Sequence, residues 1–330
     1  MSMKLKSIIT KRKTEKWPSY DLVYEWEDVL KEKLGLHISD YRQITNKYLL
    51  TFNAKCPQWF SRLFVRKVNL CFEMCAHDEN IDRTPINKYD IIPWIIDCYT
   101  NSLEKIQRLE HNYNRNAAVL ISSKEVYDYL VANGCSLPIY YLALSLSDKY
   151  AVKSSTRFDK DTDAIFVGRK NPVLSNYLKR YYIEHPSFTY LYNDYLEGHF
   201  VFYNQNGKVV GDSDTRENYW AMLRRARVAL YSTPGTDDDK NTNGYSQVTP
   251  RFLEFIASGA HIIARYKKNS DTEYFELDKM CYQANSYDEF EELMNWSLSH
   301  DVDMNIYSQY LSQHYTSKRV QSLCKIINNL

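Results

Sequence analysis

The sequence predicts an α/β protein built from two Rossmann-like domains, residues 1–150 and residues 151–330. Its length of 330 residues suits two domains of about 150 residues each. In both halves short apolar runs alternate with helical patterns, which is typical of a parallel sheet flanked by helices. A polar stretch over residues 145–162, rich in Ser, Asp, Lys and Thr, separates the two series and sets the predicted domain boundary.

The composition excludes several classes of protein. Apolar residues make up 44% of the chain, and 42 basic side chains balance 41 acidic ones. This favours globular domains over a strongly basic nucleic-acid binder. We find no apolar run near the roughly 20 residues of a membrane span, and Met1 to Lys16 lacks the apolar stretch of a secretory signal. We therefore expect a cytoplasmic protein whose seven scattered Cys are reduced thiols without a metal.

The N-terminal half contains strand and helix signals in alternation. Tyr24 to Leu34 is an amphipathic helix that Gly35 ends, and Ser123 to Asn133 is a helix ended by Gly134, with Ser122 or Ser123 as N-cap. The predicted strands of this half are Lys6 to Thr10, Val68 to Cys75, Ile91 to Ile96, Ala117 to Ile121 and Leu137 to Leu142.

The C-terminal half repeats the alternation. Asn206-Gly207 is a turn signal inside Val201 to Val210 and predicts a hairpin. The predicted strands are Ala164 to Val167, Phe188 to Tyr192, Val228 to Tyr231 and His261 to Ala264. The predicted helices are Val173 to Glu184, Asn218 to Ala226 and Thr249 to Ser258. A last apolar stripe at helical spacing requires a partner surface, which we expect across the domain junction; it consists of Val320, Leu323, Cys324 and Ile327.

Glycine is distributed unevenly. Of nine glycines, only Gly35 and Gly134 precede residue 150. A loop that holds phosphate usually needs glycine, because the backbone must approach the ligand closely. The C-terminal half is therefore where we expect a nucleotide.

The strongest single signal is the helix that begins near Thr249. Thr249 suits the N-cap, Pro250 the first helical position and Gly259 the C-terminal cap. A glycine-containing loop with Gly244 precedes this helix, and a helix N-terminus of this kind binds anions. Glu254 lies in an apolar context and can accept hydrogen bonds from a ribose; the alternative is a salt-bridged glutamate in an ordinary capped helix.

The segment around this helix resembles a known family. The residues that carry the resemblance are Ser-Gln-Val-Thr-Pro-Arg-Phe-Leu-Glu-Phe-Ile-Ala-Ser-Gly-Ala-His-Ile-Ile, residues 246–263. They resemble the donor-site helix of group 1 glycosyltransferases, which have the GT-B fold of two Rossmann-like domains facing a cleft, and they are closest to the spore-maturation-type branch. The resemblance implies that Glu254 holds the nucleotide ribose. The family's preceding glutamate falls at Ser246, where this sequence departs from the pattern.

A further segment supports the resemblance. Phe166-Val-Gly-Arg-Lys-Asn-Pro172 resembles the start of the family's nucleotide-binding domain, which implies that Gly168, Arg169 and Lys170 face the diphosphate. The alternative is a solvated basic turn. The peptide amides around Tyr245 and Ser246 would contact phosphate or sugar hydroxyls.

The acceptor side has weaker signals. His77 follows the strand that ends at Cys75, and Asp97 follows Ile91 to Ile96. Ligand groups of α/β sheets cluster at the carboxyl ends of strands, so these two residues are candidates for acceptor contact or proton abstraction. A satisfied surface histidine is the alternative for His77.

The acidic clusters Asp212-Ser-Asp214 and Asp237-Asp-Asp239 resemble metal-binding elements. Both lie in polar loops, and GT-B enzymes resemble one another in needing no bound metal. We assign these clusters to turns and caps, and we expect no metal and no organic cofactor.

The expected function is transfer of a sugar from a nucleotide diphosphate sugar to a glycan or lipid-linked acceptor, in surface polysaccharide synthesis and with retention of configuration. The alternative is a degenerate binding or scaffold protein, which Ser246 motivates; an epimerase or phosphorylase on the same architecture has less support. The expected partners are the nucleotide-sugar donor and the acceptor, without nucleic acid. The basic aromatic segment Trp59 to Lys67 also raises peripheral membrane contact, and the oligomeric state is open.

Overall fold

The computed structural model describes residues 3–44, 65–74, 83–237 and 242–330. The chain forms two compact units: Met1–Lys149 together with His314–Leu330, and Tyr150–Gln313. Each unit contains a sheet with parallel strands and flanking helices. The predicted α/β class with two Rossmann-like regions is therefore confirmed.

The first unit contains a fully parallel sheet. Its strands are β1 (Lys4–Thr10), β2 (His37–Asp40), β3 (Lys67–Met74), β4 (Ile91–Ile96), β5 (Val119–Ile121) and β6 (Ile139–Tyr141). Among the described residues their spatial order is β2-β1-β3-β4-β5-β6, and every neighbouring pair is parallel. All six residues of β4 are buried, because a parallel strand covered by helices on both faces needs a continuous apolar run.

Some helices of the first unit begin or end at signals that the sequence contains, but the first helix begins at Ser19, five residues before the predicted Tyr24. Gly35 follows the last residue of the first helix and adopts the left-handed conformation (φ 61°). Ser123 precedes the helix that begins at Lys124, and its hydroxyl accepts from the Val126 amide at 3.2 Å. The first helices in chain order are α1 (Ser19–Leu34), α2 (Tyr41–Ile44), α3 (Leu103–Tyr113) and α4 (Lys124–Ala132).

The second unit contains a mixed sheet. Its strands are β7 (Thr162–Phe166), β8 (Tyr190–Leu196), β9 (His199–Asn204), β10 (Val209–Asp212), β11 (Ala226–Ser232), β12 (His261–Arg265) and β13 (Tyr282–Gln283). The order is β10-β9-β8-β7-β11-β12-β13, in which β8, β9 and β10 are antiparallel and the remaining pairs are parallel. The predicted turn at Asn206-Gly207 joins β9 to β10, with Gly207 at φ 74°.

Helices cover the second sheet. The helix that begins at Pro250 starts where the sequence predicts. Asn171 caps the helix before β8, because its side chain accepts from the amides of Val173 and Leu174, both at 3.0 Å. The helices of this unit are α5 (Pro172–Glu184), α6 (Arg216–Arg225), α7 (Pro250–Ala257), α8 (Ser270–Tyr274), α9 (Leu277–Met280), α10 (Tyr287–Ser299) and α11 (Met304–Leu311).

The last helix, α12 (Thr316–Asn328), belongs to the first unit. Leu323 and Ile327 of its apolar stripe are buried in the same core as Trp26 and Trp94, whose rings stack with centroids 6.2 Å apart. The guanidinium of Arg319 donates to the Leu144 carbonyl at 3.0 Å. The partner surface that the stripe requires is therefore the core of the N-terminal sheet.

No helix in the described part of the chain combines the length and the apolar character that crossing a bilayer requires.

Candidate functional site

The start of α7 is fixed from the neighbouring strand. Thr249 is the N-cap residue, with an extended backbone, but its hydroxyl makes no capping hydrogen bond. The hydroxyl of Tyr231, at the end of β11, instead accepts from the Thr249 amide at 3.1 Å. This helix end is therefore held by a hydrogen bond to the neighbouring strand and not by the usual local cap.

Gly168 and Arg251 lie in contact at this helix end. Gly168 follows β7 with φ 76°, and its amide donates to Asn193 Oδ1 at 2.7 Å. A Cβ added at Gly168 would lie 2.1 Å from a guanidinium nitrogen of Arg251. A side chain at position 168 would thus displace Arg251, so the glycine allows the guanidinium to lie against the loop.

The charge of Arg251 is not balanced locally. The side chain is half-buried, and among the described residues it forms no ion pair. Arg251 is the second residue of α7, whose first turn contains no acidic residue. A cation at the positive end of a helix is unfavourable. An anionic ligand would satisfy both the guanidinium and the helix end.

Glu254 lies one turn further along α7 and has protein partners. Its carboxylate is buried, with 4% of the residue exposed. One oxygen pairs with the Arg216 guanidinium, and the other accepts from the Tyr219 hydroxyl at 3.0 Å. Burial and the nearby Glu254 charge raise the pKa of Tyr219.

These partners bear directly on the predicted ribose contact. They are the salt-bridged alternative that the sequence leaves open, because they offset the cost of burying the charge. A carboxylate has about four acceptor positions, so two hydrogen bonds do not exhaust it. The ribose contact of Glu254 stays a prediction.

Aromatic rings hold Arg216. Its guanidinium lies 5.1 Å from the ring centroid of Tyr219 and 5.7 Å from that of Tyr150. Tyr150 in turn stacks on Trp220 with centroids 4.0 Å apart. Cation–π contacts of this kind fix the orientation of a guanidinium, so Arg216 presents a constant face to Glu254.

The two basic residues after Gly168 differ in their surroundings. The ammonium of Lys170 donates to the Asn193 carbonyl at 2.6 Å and lies 3.5 Å from the Asp194 carboxylate. Arg169 is exposed. Their contact with a diphosphate stays a prediction, and Lys170 would have to exchange its present partners to make it.

The loop before α7 contains the remaining predicted residues. Gly244 is exposed with φ 87°, and the Tyr245 side chain is buried. Ser246 is 1% exposed, and its hydroxyl bonds with those of Thr233 and Thr236. The hydroxyl of Ser246 therefore stabilises the loop, and only its backbone is left for the predicted amide contacts.

The acceptor-side candidates are in the first unit. Asp97 lies at the carboxyl end of β4, half-buried and with a left-handed backbone (φ 54°), which Asp tolerates better than most residues. His77 lies outside the described residues. The structure therefore does not test whether these two residues lie together, and their roles stay predictions.

Buried ion pairs occupy the carboxyl ends of β1 and β3. The carboxylate of Glu73 is fully buried between Lys11 Nζ and Arg83 Nη1, both at 2.6 Å. Glu27 accepts from the Thr10 hydroxyl at 2.7 Å and from Arg12 Nε at 3.2 Å. Burial raises the pKa of Glu27 to about 7.

In the first acidic cluster Asp212 has the local partners expected of a turn residue, and Asp238 and Asp239 of the second cluster lie outside the described residues. Asp212 Oδ1 accepts from the Asp214 amide at 3.1 Å and from Asn218 Nδ2 at 2.7 Å. Asp237 pairs with Arg265. No group of three His, Cys, Asp or Glu side chains suited to a metal occurs within the described ranges.

Three residues near the predicted site are absent from the prediction: Arg251, Arg216 and Tyr219. The sequence does contain a signal for Arg251, since a basic residue in a helical first turn without an acid indicates an anionic ligand. No pattern links α6 to α7, because Arg216 and Glu254 are 38 positions apart and meet only through packing.

Comparisons with known proteins agree with this geometry. Residues 194–325 match a family model described as glycosyl transferase-like. That range contains α6, α7 and Glu254. No curated protein matches the chain by sequence.

Solved structures match the whole fold at low identity. A glycosyltransferase from Rickettsia africae matches with 9% identity and a TM-score of 0.57, covering 99% of this chain and 98% of that one. The Anabaena protein HepE in complex with UDP matches with 8% identity and a TM-score of 0.52, covering 99% and 100%.

Larger proteins match as well. The pneumococcal O-GlcNAc transferase GtfA, in complex with UDP and GlcNAc, has 12% identity and a TM-score of 0.50, covering 82% of this chain and 59% of that one. This chain spans 57–60% of the length of the first such structures. The chain has the GT-B glycosyltransferase fold, as the resemblance implies.

Proposed function

We propose that the chain transfers a sugar from a nucleotide diphosphate sugar to a hydroxyl of a glycan or lipid-linked acceptor, in the cytoplasm and as a step of surface polysaccharide synthesis. The observation that carries this proposal is the half-buried guanidinium of Arg251 against Gly168, at the N-terminus of α7. The donor diphosphate would occupy this position. The GT-B fold and the family match of residues 194–325 support the reaction class.

The chemistry of sugar transfer demands charge stabilisation at this place. As the glycosidic bond to the donor breaks, negative charge develops on the departing nucleotide diphosphate. A guanidinium donates two parallel hydrogen bonds to phosphate oxygens, and the helix N-terminus adds its amides and dipole. These groups are fixed before the reaction, so their stabilisation costs little reorganisation. The chain's own cations would thus take the role that a metal has in other transferases.

UDP is the first nucleotide to test. The structures of Anabaena HepE and pneumococcal GtfA are complexes with UDP, which supports UDP over GDP here. Glu254 lies one turn inside α7 from Arg251, the distance at which a carboxylate can accept from a ribose while the diphosphate contacts the helix end. Lys170 and Arg169 would add charge on the opposite side of the phosphates.

The proposal also includes the course of the reaction. We expect retention of anomeric configuration, with Asp97 and His77 as candidates for acceptor contact. Proton NMR of the anomeric signal of the new glycosidic bond, compared with that of the donor, distinguishes retention from inversion.

The decisive measurement is calorimetric binding of UDP and GDP. Arg251→Ala removes the guanidinium but leaves α7 intact, and we expect it to weaken UDP binding at least tenfold, about 1.4 kcal/mol. Arg180→Ala is the matched control, since Arg180 lies on the same unit, is exposed and pairs only with Glu184 in its own helix among the described carboxylates. Equal affinity of wild type and Arg251→Ala would refute the donor position.

The role of Glu254 needs a separate experiment, because its substitution also breaks the contact with Arg216. Wild type and Glu254→Gln are each titrated with UDP and 2′-deoxy-UDP. If Glu254 binds the ribose, the loss of the 2′-hydroxyl weakens binding in wild type and has a smaller effect in the variant. If Glu254 only holds Arg216, the 2′-hydroxyl has the same effect in both proteins.

One observation favours a second function, nucleotide-sugar binding without transfer. Ser246 replaces the family's first glutamate, and its hydroxyl is buried among Thr233 and Thr236, so no acidic side chain at this position reaches a sugar. Slow release of UDP from UDP-sugars, abolished by Arg251→Ala, would support transfer. Tight binding with no turnover, across a broad set of acceptors, would support the binding protein.

A further inference from the structure

A second group of cations lies at the other end of the second sheet. A cavity of about 180 Å³ opens at the amino ends of β11 and β12, beside Gly259 where α7 ends. Arg251 lies at the other end of α7, so the cavity is distinct from the donor position. Its charged and titratable lining residues are Arg157, Lys160, Arg227, His261, His300 and Asp301.

The lining carries an excess of positive charge. Three cationic side chains and two imidazoles face a single carboxylate, that of Asp301. The guanidinium of Arg157 donates to the backbone carbonyls of Ser154 and Thr156. Within the described ranges, neither Arg157 nor Arg227 pairs with a carboxylate. The surplus is therefore a property of the cavity and not of one side chain.

Lys160 anchors this arrangement to α7. Its ammonium donates to the carbonyls of Ala226 and Ser258, both at 2.7 Å. An ammonium has three donors, so one remains for a ligand. Burial, together with the charges of Arg227 and Arg224, lowers the pKa of Lys160 to about 7. Burial first, and the neighbouring cations second, therefore disfavour the charged form of Lys160, and an anion in the cavity would favour it.

Helix capping explains the position of Lys160 but not those of Arg157 and Arg227. A lysine that binds the last carbonyls of a helix is a common C-terminal cap, and this accounts for Lys160. It does not account for Arg157 and Arg227, which are both exposed and line the same concave space. An anion in this space would offset the mutual repulsion of these cations.

We infer that this cavity is a second anion-binding site, for a small molecule with a phosphoryl group. The volume of about 180 Å³ is below the roughly 300–1,000 Å³ of sites for larger organic ligands, so the cavity suits phosphate or pyrophosphate better than a whole nucleotide sugar. Two guanidiniums and an ammonium supply the planar and point donors that phosphoryl oxygens accept.

The test is calorimetric titration with orthophosphate and pyrophosphate. All proteins carry Arg251→Ala, which removes the guanidinium of the proposed donor position, so the result does not depend on the proposed function. Arg157→Ala/Arg227→Ala is compared with Lys179→Ala/Lys208→Ala, which removes the same net charge from exposed positions of the same unit. We expect the pyrophosphate Kd to rise at least tenfold in the first variant and less than twofold in the second.

Several results would overturn the inference. An equal loss in both double variants would show attraction by net charge alone, and absence of binding in the parent would show that the site holds no such anion. Because all four substituted side chains are exposed, folding is checked by circular dichroism and is expected to be unchanged.

A vesicle arm distinguishes the source of the phosphoryl group. Cosedimentation with vesicles containing phosphatidic acid, lost in Arg157→Ala/Arg227→Ala alone, would place the group on a lipid. Binding of pyrophosphate without binding to vesicles would place it on a free anion.

Discussion

The two units differ in how they treat charge at the carboxyl ends of their strands. In the first unit a buried carboxylate, Glu73, accompanies Lys11 and Arg83 at the ends of β1 and β3. In the second unit the guanidinium of Arg251 lies against Gly168 at the end of β7, and no described carboxylate pairs with it. The Glu73 cluster and Arg251 both lie at the carboxyl ends of strands, but their local charge balance differs.

This difference supports a ligand at Arg251 and a structural role for the Glu73 cluster. Both positions are where open α/β sheets commonly bind ligands, so topology does not distinguish them. Taking a charge out of water costs several kcal/mol unless a partner offsets it. The first unit contains the partners of its buried cations, while Arg251 at the strand ends of the second unit has no carboxylate partner among the described residues. Glu254 and Arg216 show that the second unit also neutralises charges internally where it can.

The largest expected effect tests the internal balance of the first unit. Glu73→Ala leaves Lys11 and Arg83 buried without the carboxylate between them, and we expect a loss of about 3–5 kcal/mol in the free energy of unfolding. Urea denaturation measures it. Glu104→Ala, which breaks an exposed pair with Arg108, is the control and should change stability by only a few tenths of a kcal/mol. Similar values for the two variants would contradict the comparison.

A pH experiment tests His314, a buried histidine that the first unit keeps neutral. The Arg319 guanidinium can only donate, so His314 Nδ1 accepts from it, at 3.2 Å. Burial, and then the Arg319 charge, lower the pKa of His314 to about 3. An unfolded histidine titrates near 6.5. Between these values the unfolded state binds the extra proton, so the folded state loses stability as the pH falls from about 6.5 towards 3.

The expected loss is about 1.4 kcal/mol per pH unit, or roughly 2 kcal/mol between pH 6.5 and pH 5. Urea unfolding of wild type and His314→Gln over this range measures it as a difference. The difference cancels groups with the opposite trend, such as Glu27, whose raised pKa makes the fold gain stability as the pH falls through 7. A constant gap between the two proteins would show that the pKa of His314 is not lowered by folding.

A glycine substitution sharpens the assignment in the second unit. A Cβ at Gly168 would meet the guanidinium of Arg251, so Gly168→Ala should displace that flexible group and raise the Kd for UDP about tenfold, or 1.4 kcal/mol. Gly207→Ala is the matched control, because its φ of 74° imposes the same backbone strain and nothing lies within 4 Å of the added carbon. Equal UDP affinity in both variants would separate Arg251 from nucleotide binding.

Much of the fold could be predicted from local signals. The strand Ile91 to Ile96 has the predicted bounds because a buried parallel strand is apolar throughout. Gly35, Ser123 and the Asn206-Gly207 turn mark element ends through their own backbone preferences. Each of these signals acts within a few residues, which is why one sequence suffices to read them.

The site could be predicted only in part, because its decisive contacts are not local. The start of α7 follows from Thr249, Pro250 and the preceding loop. The partners of Glu254 lie 35 and 38 positions away on α6, and no periodicity relates the two helices. The same holds for Gly168 and Arg251. Tertiary packing decides which charge is neutralised, and a sequence pattern does not contain it.

The smallest expected effect concerns Ser246, which the resemblance places beside the sugar and the structure places among buried hydroxyls. Ser246→Ala removes its hydrogen bonds with Thr233 and Thr236, and we expect a loss of about 1 kcal/mol in the free energy of unfolding. UDP affinity should stay within twofold of wild type, because the hydroxyl faces the loop interior. Ser154→Ala, at an exposed position, controls for loss of a hydroxyl. A large loss of UDP affinity with unchanged stability would instead place the Ser246 side chain at the ligand, and the second unit would then hold its donor through the loop before α7 as well as through Arg251.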